Sequence, residues 1–234
     1  MTPTAIEQAA AATATTRETH REERMKRSFG YHLLRAISGP VVQRLWIGKV
    51  AGLEEIPRSE PYIVISNHAS YLDFILLSTL FEYGVGRPIH FWAKRKVVEA
   101  HPLFRHYARH FQAVLVDRGC HDYWHTSLDH LSAGRVIGIF PEGSRSRTGK
   151  LQRFHTGYLR LAARAQVPVV PIELKGAYDI LPPHRRWPRL TKSDIVVHPP
   201  FTVPADLEQE AMAALNLGVR ERYFSGNGAA QGAR

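Results

Sequence analysis

The chain has 234 residues, 44% of them hydrophobic, enough for one sizeable core with appendages but cramped for a second full domain. Its single cysteine, Cys120, excludes an intramolecular disulfide and a cysteine-rich zinc site and fits a reducing compartment. Thirty-one Lys and Arg against 21 Asp and Glu, a net charge of +10, favour anionic partners: nucleic acid, lipid headgroups or phosphorylated small molecules.

In chain order, residues 1–23, rich in Ala and Thr, read as a flexible tail that cannot bury enough apolar surface to order itself. Over 24–49 the pattern changes. Met25, Phe29, Leu33 and Ile37 recur every four residues, Ser38-Gly39-Pro40 breaks the run, and a second short helix carries Val41, Val42, Leu45 and Trp46. This window holds Arg24, Lys26, Arg27, Arg35, Arg44 and Lys49 and no acid. A basic amphipathic pair of this kind suits peripheral docking on an anionic membrane surface; a helix packed on the domain with a solvated basic edge fits it equally well. No apolar run approaches the ~18 residues of a spanning helix, and the N-terminus lacks a signal-peptide core, so any membrane contact is expected to be peripheral.

From residue 60 onward short apolar runs alternate with longer mixed segments. Strands are predicted at Tyr62–Ile65, Ile89–Ala93, Ala113–Val116, Val136–Phe140, Val167–Ile172 and Ile195–Val197, and helices near 72–82, 101–110, 121–133, 155–166 and 205–220. That alternation predicts an α/β fold, a mainly parallel twisted sheet flanked by helices, preceded by the amphipathic helical pair. The main folded domain is expected over 50–223, with a flexible tail over 224–234.

Asn67-His68-Ala-Ser70-Tyr-Leu-Asp73 follows the first of these strands, in a strand-to-helix turn at the sheet's carboxyl edge, where open α/β folds bind ligands. An Asp reaching back to a histidine fixes its tautomer and stabilises the imidazolium, leaving the other ring nitrogen to take a proton from a bound hydroxyl. The spacing Ser70-x-x-Asp73 also fits a helix cap with an acid in the first turn, which needs no catalysis.

At Phe140-Pro141-Glu142-Gly143-Ser144-Arg145 another strand ends in a turn able to aim backbone N–H groups and a guanidinium at an anion; a plain surface turn is the alternative. Six basic residues and no acid lie between Gly143 and Ile172, which favours the anion site. Ala113–Gly119 ends in Asp117-Arg118, a turn with a local ion pair or a second phosphate ligand. In Val167–Ile172, Pro168 can start a strand, but Pro171 implies an edge or a bulge.

Taken together, Asn67-His68-x4-Asp73, Val114-x-x-Asp117-Arg118, Phe140-Pro-Glu-Gly-Ser-Arg145 and Val167-Pro-Val-Val-Pro171 resemble, in order and spacing, the four motif blocks of the glycerolipid acyltransferase family, whose best-known members are the 1-acylglycerol-3-phosphate acyltransferases. The resemblance spans about 50–200. It implies transfer of a fatty acyl group from acyl-CoA or acyl-carrier protein to the hydroxyl of a lysophospholipid acceptor, giving phosphatidic acid, at the cytoplasmic face of the membrane and without metal or redox cofactor. It further implies His68 as general base and Asp73 as its orienting partner. Arg118, Glu142, Gly143, Ser144, Arg145 and Lys94 would hold the acceptor's phosphate, with Asn67 and Pro141 in support. Where many members carry a glycine before the second block this chain has Gln112, and where many carry an acid after the Lys94-Arg95 pair it has Lys96, so the acceptor is less determined than the reaction. Another lysophospholipid or a lyso-aminolipid is the alternative acceptor.

Three other readings have less behind them. Pro182–Arg189, Pro-Pro-His-Arg-Arg-Trp-Pro-Arg, keeps nucleic-acid binding in view, but no helix-turn-helix, zinc-finger or RNA-binding aromatic motif accompanies it, and no nucleic-acid partner is expected. His106/His110 and His121/His125 share helical spacing without an evident third ligand, so no metal site is expected. Neither Ser70 nor Ser144 lies in a G-x-S-x-G elbow of a hydrolase.

Overall fold

The structure, a computed structural model, describes residues 39–100, 105, 108, 113–117 and 122–224. The chain divides into two compact units, 1–41 and 42–234; of the first only the helical residues 39–41 fall in the described range, and the second is described here. Helical residues 42–46 lead into β1 (Ile47–Ala51). There follow β2 (Tyr62–Ser66), α1 (Asp73–Leu80) with a π-helical extension (Phe81–Val85), β3 (Ile89–Lys94) and α2 (Arg95–Ala100). The chain continues through β4 (Val114–Val116), α3 (Asp122–Ser132), β5 (Val136–Ile139), α4 (Gly157–Ala165), β6 (Val169–Lys175), α5 (Ala177–Ile180), β7 (Ser193–Val197) and α6 (Gln209–Phe224).

One seven-stranded sheet runs β1-β7-β6-β2-β5-β3-β4. The five strands from β6 to β4 are mutually parallel, and β7 pairs antiparallel with β6. Successive side chains of a strand point to opposite faces, so a strand buried on both faces reads as an unbroken apolar run. β2 shows this directly. Tyr62 and Val64 enter the core with Leu76, Leu77 and Leu80 of α1, whereas Ile63 and Ile65 enter the opposite core with Tyr158, Leu159 and Ala162 of α4 and Val219 and Phe224 of α6. The α/β architecture expected from the alternation is therefore present, with helices packed on both faces.

Several boundaries differ from expectation. Ile47–Lys49, assigned by periodicity to the helical pair, are strand: β1 is an edge strand with only Ile47 buried, paired to β7 across an irregular register, so its sequence IGKVA carries little of the apolar signal of a central strand. The rest of the pair, 24–38, lies outside the described residues, as do most of the expected helix 101–110 and the tail from 225 on. α6 extends to Phe224, a buried residue that the tail was expected to include. Pro171 sits in a central strand, not an edge, opposite Ile65 of β2. Its missing N–H is accommodated by a bulge: the β6–β7 ladder holds from Ile172, and the next pairing, Val169 with Phe201, has one extra residue on the 198–200 side.

Candidate active site

Parallel pairing of β2, β5, β3 and β4 gathers their carboxyl ends at one sheet edge, so the 67–73 turn, the 140–146 turn, Lys94 and Asp117 converge although they are scattered in sequence. Among them opens a cleft of about 320 Å³. Its polar lining includes His68, Lys94, Ser144 and Arg145; its apolar walls include Phe74, Phe91, Trp92, Val97, Val98 and Phe140.

His68 and Asp73 meet as their spacing predicts. Asp73, fully buried as the first residue of α1, accepts at one oxygen, Oδ2, from His68 Nδ1 at 2.8 Å and from the backbone N–H groups of Ala69 at 2.7 Å and Ser70 at 2.8 Å. The capping and the histidine-orienting readings are thus compatible: one carboxylate closes the turn and holds the ring. Ser70 does not cap α1 at its N-cap, which is Leu72; its hydroxyl donates to Leu181 O at 3.2 Å and accepts Leu72 N–H at 3.2 Å. With Nδ1 engaged by a carboxylate, Nε2 is the nitrogen left for a group bound in the cleft.

Glu142 is placed differently from the expected phosphate pocket. Its carboxylate is buried and turned inward, accepting His68 N–H at 2.7 Å on Oε1 and Gln152 N–H at 2.9 Å on Oε2. Burial pushes its pKa above the usual carboxylate value, and these N–H donors pull it back down. An inward acceptor of two backbone donors braces the site; it does not offer a lone pair to a phosphate that needs donors. Ser146 N–H closes the same connection from the other side, donating to His68 O at 2.8 Å.

The remaining motif residues divide by exposure. Gly143 adopts φ 69°, a left-handed conformation open to glycine, and lines the cleft with exposed Ser144. The Arg145 guanidinium carbon sits over the Tyr71 ring, 3.3 Å from its centroid; burial lowers its pKa while Tyr71 and Asp73 oppose that shift, and a guanidinium so placed stays charged. Lys94 ends β3, exposed at the cleft. Asn67 is buried and ties β2 to β6 by a two-way amide contact, Nδ2 to Leu174 O at 3.0 Å and Leu174 N–H to Oδ1 at 2.8 Å, and Pro141 O accepts His155 N–H at 2.8 Å. Arg118 lies outside the described residues, as do Gln112, Cys120, His106, His110 and His121. Asp117 pairs with Arg95 Nε at 2.5 Å.

Two aromatic platforms were not legible in the motif spacing: Phe140 under the His68 ring and Tyr71 under Arg145. Their only sequence signal is an aromatic residue inside each polar motif.

A family model described as Acyltransferase matches residues 48–175, more than half of the chain and all four motif blocks. The chloroplastic 1-acyl-sn-glycerol-3-phosphate acyltransferase BAT2 of Brassica napus is 30% identical over 169 residues, 68% of this chain and 46% of that protein. The 1-acyl-sn-glycerol-3-phosphate acyltransferase alpha of Bos taurus is 30% identical over 188 residues, 76% of this chain and 61% of that protein. The chain thus spans about half the length of such relatives. The crystal structure of the 1-acyl-sn-glycerophosphate (LPA) acyltransferase PlsC from Thermotoga maritima superposes with a TM-score of 0.62 at 22% identity, covering 86% of this chain and 84% of that one, a likeness of fold. By the extent of the family match and the order of its four motif blocks, the chain belongs to the glycerolipid acyltransferase family.

Proposed function

We propose that this protein is an O-acyltransferase that moves a fatty acyl group from acyl-CoA or acyl-carrier protein to the free hydroxyl of 1-acyl-sn-glycerol-3-phosphate, giving phosphatidic acid for phospholipid synthesis. The observation that carries this reading is the buried Asp73 carboxylate on His68 Nδ1, at the mouth of a cleft that joins cations to apolar walls. A thioester is already activated, so attack by the acceptor oxygen requires only that its proton be taken as the C–O bond forms. His68 Nε2 takes that proton and Asp73 stabilises the imidazolium. The tetrahedral intermediate then collapses, the C–S bond breaks, and the leaving thiolate recovers the proton as a thiol, returning His68 neutral. No metal or redox cofactor enters a reaction written this way.

Arg145 and Lys94 hold the acceptor's phosphate, with Arg118 expected to join them, and the apolar walls take acyl chain. Glu142 and Asn67 are positioning residues. Among the described residues no helix is long and apolar enough to cross a membrane. On this reading the enzyme works as a peripheral protein on the cytoplasmic face of an anionic bilayer, where its lyso-lipid acceptor resides.

The test is to incubate the purified protein with labelled acyl-CoA, or acyl-carrier protein, and a panel of lyso-lipids. Phosphatidic acid from the lysophosphatidate arm, absent with His68→Ala, is the expected result. Product in another arm alone reassigns the headgroup, and release of free fatty acid independent of any acceptor overturns acyl transfer.

A further inference from the structure

Between α5 and β7 the chain crosses 181–192 without helix or strand. Two of its side chains, Trp187 at 80% and Leu190 at 79%, are the most exposed large apolar groups among the described residues. One exposed apolar side chain is ordinary. Here two lie within four residues, interleaved with exposed Arg185, Arg186, Arg189 and Lys192, and no acid occurs from Leu181 to Lys192.

The loop is also held in shape. Arg189 N–H closes back on Ile180 O at 2.8 Å, Arg185 N–H on Pro182 O at 3.0 Å, and the Trp46 indole N–H reaches Arg189 O at 2.9 Å. Pro182, Pro183 and Pro188 restrict it further. A closed loop gives up little conformational freedom when its tip is captured. Its root touches the site: Leu181 O accepts Tyr71 N–H at 3.1 Å and the Ser70 hydroxyl at 3.2 Å, so the loop begins on the turn that carries His68 and Asp73.

We propose that the 181–192 loop is a membrane-docking surface, with Trp187 and Leu190 entering the boundary between headgroups and acyl chains of an anionic bilayer and Arg185, Arg186 and Arg189 pairing with lipid phosphates. An amphipathic indole and an aliphatic side chain among arginines match the two layers of that boundary, apolar beneath and anionic above. A nucleic acid offers phosphates but no apolar layer for Leu190. Docking at this point brings the bilayer to the entrance of the cleft, so a lyso-lipid reaches His68 without crossing much water. That purpose rests on the acyl-transfer reading; the docking itself does not.

The experiment uses the full chain in vesicle flotation, on phosphatidylcholine with and without phosphatidylglycerol. Wild-type protein is expected to float with the mixed vesicles, and brominated phosphatidylcholine to quench a tryptophan signal that Trp187→Phe lacks. The double variant Trp187→Ala with Leu190→Ser should lose about tenfold in partitioning, and Arg185→Gln, Arg186→Gln and Arg189→Gln about fivefold each on anionic vesicles alone. Acyl transfer to a monomeric short-chain lysophosphatidate should be unchanged in both sets, and their melting curves should match wild type. Wild-type partitioning by both sets, or an unquenched Trp187, overturns the proposal, as does loss of duplex-DNA retention with vesicle binding intact. If vesicle binding depends on the loop but no acceptor is acylated, the docking surface stands and the enzymatic reading falls.

Discussion

The Phe140 ring lies against the His68 imidazole, centroids 4.1 Å apart and planes 17° from parallel, and Phe91 stacks on Phe140 in turn at 5.4 Å and 6°. Asp73 fixes one atom of the imidazole; the stack fixes its plane. The stack has a floor at Gly138 of β5, where an added Cβ would fall 2.6 Å from two Phe91 ring atoms.

Phe140→Ala should therefore lower kcat by roughly ten- to a hundredfold through misorientation of His68, with little change in the KM for acceptor, and Phe140→Tyr should restore most of it. Steady-state kinetics on the two variants separates this from general destabilisation, which Tyr would not repair selectively. Gly138→Ala should cost about 1–3 kcal/mol by overpacking, read as a lowered Tm, and an unchanged Tm would show that Phe91 moves freely.

Asp73→Asn can keep one carbonyl oxygen facing the three N–H donors, but it loses the negative charge that stabilises the imidazolium and sets an amide NH2 where the buried Asp73 Oδ1, which has no hydrogen-bond partner, stood. We expect kcat to fall about 10²–10⁴-fold, the range for losing a positioned base, along with a lowered Tm from the disturbed turn. His68→Ala should lose the activity while keeping the Tm near wild type, because His68 is half-buried and its backbone partners remain. Activity above a few per cent in purified His68→Ala protein would remove His68 from the chemistry.

Arg145→Lys keeps the charge but loses the planar contact with Tyr71. The KM for lysophosphatidate should rise about tenfold, and by up to roughly 100-fold in Arg145→Ala, in the range of a charge-assisted hydrogen bond. Monoacylglycerol, which has no phosphate, should be acylated equally by all three proteins; an equal loss on that acceptor would contradict phosphate binding.

His198, between β7 and the 201 bridge, has its pKa held below 6.5, chiefly by burial and partly by Lys175, against the opposing pull of Glu173 and of a hydrogen bond that the ring donates to the backbone of Tyr223. The folded protein therefore binds fewer protons at this site than the unfolded chain, and stability is lost as pH falls below about 6.5, whereas above that value both states are neutral and nothing changes. Thermal melts of wild type and His198→Phe across this range should diverge only on the acid side, with wild type losing more. Parallel curves would assign the acid sensitivity elsewhere.

Much of this molecule is legible locally. Residues 62–65 are apolar without interruption because both faces of a central parallel strand are covered, and the sequence states that burial directly. His68 and Asp73 are close enough in the chain for their contact to follow from a turn and the first residue of a helix. β1 was not legible: an edge strand with one buried residue resembles the end of the basic helix before it. Glu142 was misplaced for a related reason, since a motif string names a carboxylate without saying whether it faces a ligand or the backbone behind it.

The residue types and spacings by themselves determined the α/β class and the histidine–aspartate pair, because each depends on periodicity or on contacts a few residues long, and the family was legible through the resemblance of four motif blocks. Only the tertiary structure decided what surrounds that pair. Phe140, Glu142 and Leu181, which reach His68 or the turn that carries it, lie 72, 74 and 113 residues beyond His68 along the chain, and strand order, not sequence separation, determines which side chains share an edge of the sheet.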